Sequence, residues 1–267
     1  MAKAVSDILR RVLMVPPKHF TVEYAINPWM GGKVDQALAQ KQWDQLKKEI
    51  ENQGVKVLTL DQTPDLPDMV FCCNSGLAYE NKVYLSKFRH PQRQGEQKAL
   101  FAENNFDPRG SDYAEYFEGG GDAVFSDYNT LWAGYGERTS KEAYNHVAKL
   151  GSFETVFCEM TNPKFYHLDT CFAPVGSKSA LYYPDAFSSK TQQEIKRRLP
   201  DAIAVSDEEA TAFVCNAITV RKAVISPIGV SDRTKDLLSK LGYKTIEVDM
   251  SEFMKSGGAC QCLVMKL

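Results

Sequence analysis

The chain has 267 residues, 43% of them hydrophobic and 25% charged, which is globular composition and excludes a disordered or fibrous protein. Its 32 basic and 34 acidic residues leave a formal charge of −2 with a pI near 6.1, so there is no basic field to hold nucleic acid. No stretch approaches the roughly 18 apolar residues of a membrane helix, and Asp7, Arg10 and Arg11 interrupt the start where a signal peptide needs an apolar run. The sequence predicts a soluble, cytoplasmic protein without nucleic-acid or membrane partners. It leaves the oligomeric state, including a homo-oligomer, open.

In chain order, residues 34–53 set Val34, Ala37, Leu38, Trp43, Leu46 and Ile50 at helical spacing, Gly54 stops the helix, and residues 55–60 read as a strand. Residues 68–73 and 83–88 read as short strands on either side of the Glu80-Asn81 turn. A less periodic helix is predicted over 94–103. Residues 139–150 repeat the helical pattern, with Ser140 as a cap, Ala143, Val147 and Leu150 inside and Gly151 as terminator, before an extended 153–160. Strand 180–183, helix 191–199 and strands 202–205 and 223–226 follow. Helix 231–241, Gly242 and strand 243–248 complete the series. This alternation predicts an α/β protein, either a doubly wound sheet or a radial repeat. No Pro/Gly/Ser linker divides the chain, and we expect one domain over 1–267. No Gly-x-Gly-x-x-Gly or P-loop motif occurs, and no cofactor is expected.

Seven cysteines are spread along the chain. A reducing compartment disfavours disulfides, and the Cys72-Cys73 and Cys260-x-Cys262 spacings do not match a zinc clamp. No metal is expected.

Three segments break the strand-and-helix pattern. In Tyr116-Phe-Glu-Gly-Gly-Gly-Asp122, three glycines between two acids allow close approach of backbone, in a hairpin leading to a strand at 123–125. In Phe165-Tyr-His-Leu-Asp-Thr170, a strand would turn His167 and Asp169 to the same side, and a carboxylate there favours the imidazolium. In Lys255-Ser-Gly-Gly-Ala-Cys-Gln-Cys262, glycines deliver Cys262 to the start of a final strand, where a depressed pKa would make its sulfur a nucleophile. A nucleophile, a proton carrier and several acids suit a planar guanidinium, which carries five N–H donors and a permanent charge. Each segment alone is also compatible with a solvated turn, a structural histidine or a buried cysteine.

Taken with further pieces, these segments resemble the guanidino-group-modifying enzymes of the pentein superfamily. The pieces are Met14-Val-Pro-Pro with Tyr24-Ala-Ile-Asn-Pro-Trp-Met30, Asp68-Met-Val-Phe-Cys-Cys-Asn-Ser-Gly76 and Ser86-Lys-Phe-Arg-His-Pro-Gln-Arg93. Phe117-Glu-Gly-Gly-Gly-Asp122, Gly136-Glu-Arg-Thr-Ser140, His167-Leu-Asp-Thr170 and Gly257-Gly-Ala-Cys-Gln-Cys262 complete them. Singly weak, they are specific in this order. The resemblance implies a five-bladed ββαβ propeller in one domain. It implies Cys262 as nucleophile, His167 as acid–base and Glu118 as its acidic partner. Asp169 would grip the guanidinium, Arg89 and Arg138 a substrate carboxylate, and Asp122 and Asn27 would be further substrate contacts. The expected partner is a small guanidino compound, arginine or a methylarginine.

Where deiminases and dimethylaminohydrolases of the superfamily commonly carry Asp, this chain has Asn74, as arginine dihydrolases do. These also share the extra glycine of Glu118-Gly-Gly-Gly-Asp122, although Cys72-Cys73 replaces their usual Thr-Ala. The resemblance therefore implies hydrolysis of arginine to ornithine, ammonia and carbon dioxide, with Asn74 holding the guanidinium without a second negative charge. The alternatives are dimethylarginine hydrolysis to citrulline and dimethylamine, amidino transfer, and an inactive pentein used as a binding module.

Overall fold

A computed structural model describes residues 4–97, 107–110 and 113–267. Its strands form five three-stranded sheets on one plan, a central strand antiparallel to one neighbour and parallel to the other. The first four sheets each use one continuous stretch of chain. They consist of Gly76–Tyr79, Lys82–Leu85 and Asp107–Arg109; Ala123–Asp127, Thr130–Tyr135 and Glu154–Glu159; Phe172–Gly176, Ser179–Tyr182 and Ile203–Ala204; and Ile218–Val220, Ala223–Pro227 and Lys244–Val248. The antiparallel pair needs only a tight hairpin, whereas the parallel pair needs a longer crossover, which is where the long helices Gln36–Asn52, Ser189–Arg198 and Asp232–Lys240 lie. This is the ββαβ repeat of a five-bladed propeller.

The fifth sheet joins the two ends of the described chain. Arg11–Met14 pairs in parallel with Lys56–Thr59 and antiparallel with Met265–Lys266. The ring is thus closed by the last strand, a few residues beyond Cys262. No helix among the described residues is long and apolar enough to cross a membrane.

Helices Gln36–Asn52, Ser189–Arg198 and Asp232–Lys240 are capped by Asp35, Ser188 and Ser231, each accepting a hydrogen bond from a first-turn amide. On the first, the buried stripe is Ala39, Trp43, Leu46 and Ile50, one face at i, i+4, i+7 and i+11. Ala37, expected on that face, is exposed.

Several expectations are corrected. Residues 68–73 are two 3₁₀ turns, Pro67–Val70 and Cys72–Ser75, and the hairpin strand begins at Gly76. Apolar residues are buried on both sides of this segment, so a buried turn and a buried strand share one pattern. Residues 139–150 break into three short turns, Lys141–Ala143, Tyr144–Val147 and Ala148–Leu150, and the Ser140 side chain caps none of them. The segment 119–122 is a helical turn rather than a hairpin loop, Leu168–Thr170 is a 3₁₀ turn rather than a strand, and Cys262 precedes the final strand instead of opening it. Most of the predicted helix 94–103 lies outside the described residues.

Ending the chain at Val264 would remove the closing strand. Unfolding in urea, followed by circular dichroism, should show a loss greater than the roughly 2–5 kcal/mol of a single Met265→Ala cavity. Equal losses in the two variants would mean that ring closure adds nothing beyond side-chain burial.

Candidate active site

The turns that lead into the strands point toward one another. Cys262 reaches this centre on the segment after Gly257, where a Cβ would come within 2.6 Å of Asn27 Oδ1. Asn27 holds this segment by donating to the Ser256 carbonyl at 3.0 Å, while its Oδ1 accepts from Trp29 N at 2.9 Å. Both ends of the Asn27 amide are therefore tied to main chain. Its predicted place as a substrate contact becomes one of holding the loop that carries the sulfur.

Around Cys262 Sγ stand Asp169 Oδ2 at 3.2 Å and Asn216 Nδ2 at 3.1 Å. Asn216 also donates to the Asp169 carbonyl at 3.0 Å and accepts from the amides of Ala259 and Cys262. One buried side chain thereby fixes sulfur, acid and loop together. The sequence reading missed Asn216; the available signal was a lone polar residue inside the apolar run Phe213-Val-Cys-Asn-Ala217. Cys260 is also buried, but it shares none of these partners.

His167 and Glu118 meet at 2.7 Å through His167 Nε2. Glu118 is completely buried and accepts further hydrogen bonds from Arg138 Nη1 at 2.9 Å and Arg89 N at 3.1 Å. His167 Nδ1 is buried and has no partner, so one ring nitrogen is anchored and the other is available for proton transfer. The sequence expectation of His167 and Asp169 on one strand face fails locally because His167 immediately precedes a 3₁₀ turn and Asp169 lies within it. The turn still brings both toward the centre.

Arg138 is 1% exposed. Its guanidinium binds Glu118 through Nη1 and the Ile26 carbonyl through Nη2 at 2.8 Å, above the Tyr166 ring, and its Nε has no partner. Arg138 thus holds the acidic partner of His167 and keeps one donor for the substrate carboxylate expected there. Arg89 fits the expectation better. It is half-buried, its guanidinium lies 4.7 Å from the Tyr116 ring, and its Nε has no partner. Asp122 is also scaffolding, because Thr139 Oγ1 donates to it at 2.6 Å and Leu168 N at 3.0 Å. Burial and the nearby Glu118 charge push Asp122 up to about 8 against those hydrogen bonds, so it is neutral below that pH and can share protons within this group.

Asn74 shows an orientation that the sequence could not give. Its Oδ1 accepts from Arg93 Nη1 at 3.0 Å. Arginine has no acceptor, so the amide end facing it must be the oxygen. Asn74 Nδ2 is buried without a partner, and a Cβ placed on Gly121 would overlap it and come within 3.1 Å of His167 Nδ1. The site therefore meets an N–H donor. Arg93 is itself locked by a bidentate pair with Glu96 at 2.9 and 2.8 Å and by the Asp68 and Phe71 carbonyls. Arg93 appeared in the quoted motif, but nothing in its spacing marked it as the brace of Asn74.

The charges can be ordered. Burial opposes ionisation of Glu118, but His167 and Arg138 overcome it and hold the carboxyl well below the usual range. Burial lowers His167 to about 4 although Glu118 pulls the other way, so the resting imidazole is neutral. Burial and the neighbouring sulfur raise Asp169 well above its ordinary value. Burial also opposes the Cys262 thiolate, yet hydrogen bonds from its neighbours, Cys73 first and Asp169 next, bring it down to about 7. The two opposite shifts describe one proton shared by sulfur and acid, since two anions 3.2 Å apart cannot both form in a dry site. At neutral pH the proton lies toward Asp169 and the sulfur is substantially ionised. Cys73, Asp169 and Cys262 also present donor atoms within 4.8 Å of one another, ligand types that a thiolate-preferring ion accepts. Tertiary contacts create that group, not local spacing.

Comparison with known proteins gives a consistent pattern. The sequence profile of the eukaryotic N,N-dimethylarginine dimethylhydrolase family matches residues 24–267. An uncharacterized protein of Caenorhabditis elegans is 65% identical, covering 100% of this chain and 96% of its own length. The bifunctional arginine dihydrolase/ornithine cyclodeaminase ArgZ of Synechocystis is 39% identical over 96% of this chain, which spans only 37% of ArgZ. The N-terminal domain of ArgZ, bound covalently to a reaction intermediate, superposes with a TM-score of 0.91 at 38% identity over 96% of this chain and 97% of that one. The N(G),N(G)-dimethylarginine dimethylaminohydrolase of Mycobacterium tuberculosis is 34% identical over 97% of this chain and 86% of its own.

The thiolate is the form that reacts with iodoacetamide. The inactivation rate should therefore rise with pH and level off above about 7, the position of Cys262, well below the roughly 8.5 of an unperturbed thiol. A midpoint above 8 would contradict the shared proton. Gly121→Ala should cost on the order of 10²-fold in kcat by displacing Asn74 and His167, with a lowered Tm because the added methyl overlaps buried side chains, but with a protein still folded by circular dichroism at the assay temperature. Loss of the folded signal would instead make Gly121 a folding requirement.

Proposed function

We propose that this chain, which belongs to the N,N-dimethylarginine dimethylhydrolase family, works as an arginine dihydrolase, converting arginine and two waters to ornithine, two ammonia and carbon dioxide. The observation that carries this reading is the Asn74 amide, whose donor end faces the reaction centre because Arg93 holds the other. A guanidinium offers only donors, so Asn74 does not grip the substrate as the sequence reading expected. After the first hydrolysis the guanidino group is a ureido group with a carbonyl oxygen. That oxygen accepts what Asn74 offers, and the donor remains useful as negative charge grows there in a second attack. A carboxylate in the same place would repel the oxygen and favour release of citrulline.

The first half-reaction uses the proton inventory of the empty site. The guanidinium takes its place by Asp169, whose Oδ1 is buried without a partner, and its charge favours ionisation of both Asp169 and Cys262. The displaced proton passes to His167 Nδ1. Sulfur adds to the guanidino carbon, His167 returns the proton to the leaving amine, and the tetrahedral adduct expels ammonia, leaving a planar thiouronium on sulfur. Neutral His167 then takes a proton from water, which attacks and frees the sulfur. The same groups repeat the cycle on the ureido carbon, and the resulting carbamate loses carbon dioxide. Arg89 and Arg138, each with an unpartnered Nε, are the cations with spare hydrogen-bonding capacity for the substrate carboxylate.

Similar proteins support arginine as substrate, because the N-terminal domain of ArgZ is known in complex with its substrate and is similar over 96% of this chain. A second reading, hydrolysis of dimethylarginine, draws on the matched family profile and the Mycobacterium tuberculosis relative.

Incubation with arginine should give ornithine with two ammonia per substrate consumed, and dimethylarginine should release little dimethylamine. Citrulline and one ammonia would refute the dihydrolase assignment. Asn74→Asp should slow ornithine formation by on the order of 10²-fold or more, as loss of one oriented donor does, and let citrulline accumulate. Cys262→Ser should abolish turnover on every guanidino substrate while leaving arginine binding measurable by calorimetry.

A further inference from the structure

Cys73 is a second thiol at the reaction centre to which the proposed reaction assigns no bond-making step. Its sulfur, the Cys262 sulfur and an Asp169 oxygen all lie within 4.8 Å of one another. Cys73 Sγ stands 3.6 Å from the same Asp169 oxygen that Cys262 Sγ approaches to 3.2 Å. The main chains are also tied, because Cys73 N donates to the Cys262 carbonyl at 3.3 Å. The two backbones thus approach closely, as a disulfide requires. Cys72 turns its sulfur onto the Leu13 and Leu263 carbonyls, and Cys158, Cys171 and Cys215 pack in a separate apolar cluster.

We infer that Cys73 is a resolving thiol for Cys262, and that the two form a reversible disulfide when a peroxide oxidises the candidate nucleophile. The Cys262 thiolate attacks one oxygen of hydrogen peroxide, the O–O bond breaks, and the other oxygen leaves as water after taking a proton. The sulfur then carries a sulfenic acid. Cys73 sulfur attacks that sulfur, the S–O bond breaks, and the hydroxyl leaves as water with the Cys73 proton, which Asp169 is placed to relay. Two thiols and one peroxide become one disulfide and two waters. A peroxide is smaller than the proposed substrate and can follow the same path, and at a sulfur only 2% exposed the adjacent Cys73 reacts before the slower-arriving thiols of solution do. Without a resolving partner, continued oxidation to sulfinic and sulfonic acids is irreversible. Cys73 thus protects the nucleophile and halts turnover until a reductant restores it.

The inference rests on Cys262 being the reactive thiolate of the proposed function. Its test reads covalent structure, so it can fail or succeed independently of turnover. The reduced full chain is treated with a several-fold molar excess of hydrogen peroxide and examined by intact mass and by peptide mapping without reduction. The expected result is loss of two hydrogen atoms, a Cys73–Cys262 cross-linked peptide, and return of most of the starting activity with dithiothreitol. Cys73→Ala, compared with its own untreated activity, should instead gain two or three oxygens on Cys262 and fail to recover; Cys73→Ser serves if the alanine variant does not fold. Oxygenated Cys262 in the parent protein, a cross-link to any other cysteine, or equal recovery in the Cys73 variants would overturn the inference. A protein that forms the cross-link but hydrolyses no guanidino substrate would leave the thiol pair standing and remove the proposed function.

Discussion

A carboxylate sealed from water survives as an anion only if the protein replaces its hydration, and Glu118 is the place where this fold does so. Arg138, His167 and the Arg89 amide all converge on it, and each comes from a different part of the ring. Removing one partner of such a buried pair typically costs about 3–5 kcal/mol, because the remaining charge stays buried. Catalytic geometry and structural integrity are therefore coupled. The blades cannot shift relative to one another without unpairing a charge, and the imidazole cannot turn without losing its anchor.

That rigidity lets a few hydrogen bonds decide chemistry. The sulfur, Asp169 and Asn216 form a closed set in which one proton serves two acidic groups. An arriving cation releases that proton to the unpaired nitrogen of His167. Asn74 works differently: it carries no charge, but the Arg93–Glu96 pair dictates which end of its amide the substrate meets. A buried ion pair is poor evidence for stability, and here it is better understood as an orienting device.

The same enclosure explains why a second thiol matters. In open solvent the distance between two cysteines fluctuates, and other thiols compete for a sulfenic acid. Between Cys73 and Cys262 a main-chain hydrogen bond fixes the separation, and the surrounding protein limits the competitors. Cys73 sets a second thiol beside the Cys262 sulfur, against the same Asp169 oxygen.

The sequence by itself determined the repeating order of strands and helices, the capped long helices and the three chemical segments, because those are local: periodicity, caps and glycine stops act over a few residues. With the resemblance, it also indicated the ring and the residues Cys262, His167, Glu118 and Asp169. It misjudged segments buried on all sides, such as 68–73 and 167–169, since an apolar run does not distinguish a strand from a 3₁₀ turn. Only the tertiary structure decided what the long-range contacts decide. It engaged Arg138 with Glu118, brought in Asn216 from an apolar run, turned the Asn74 donor inward through Arg93, and set Cys73 against Cys262. Each depends on groups far apart along the chain meeting in a site without water, where an unpaired polar atom is expensive and direction is fixed by the partner.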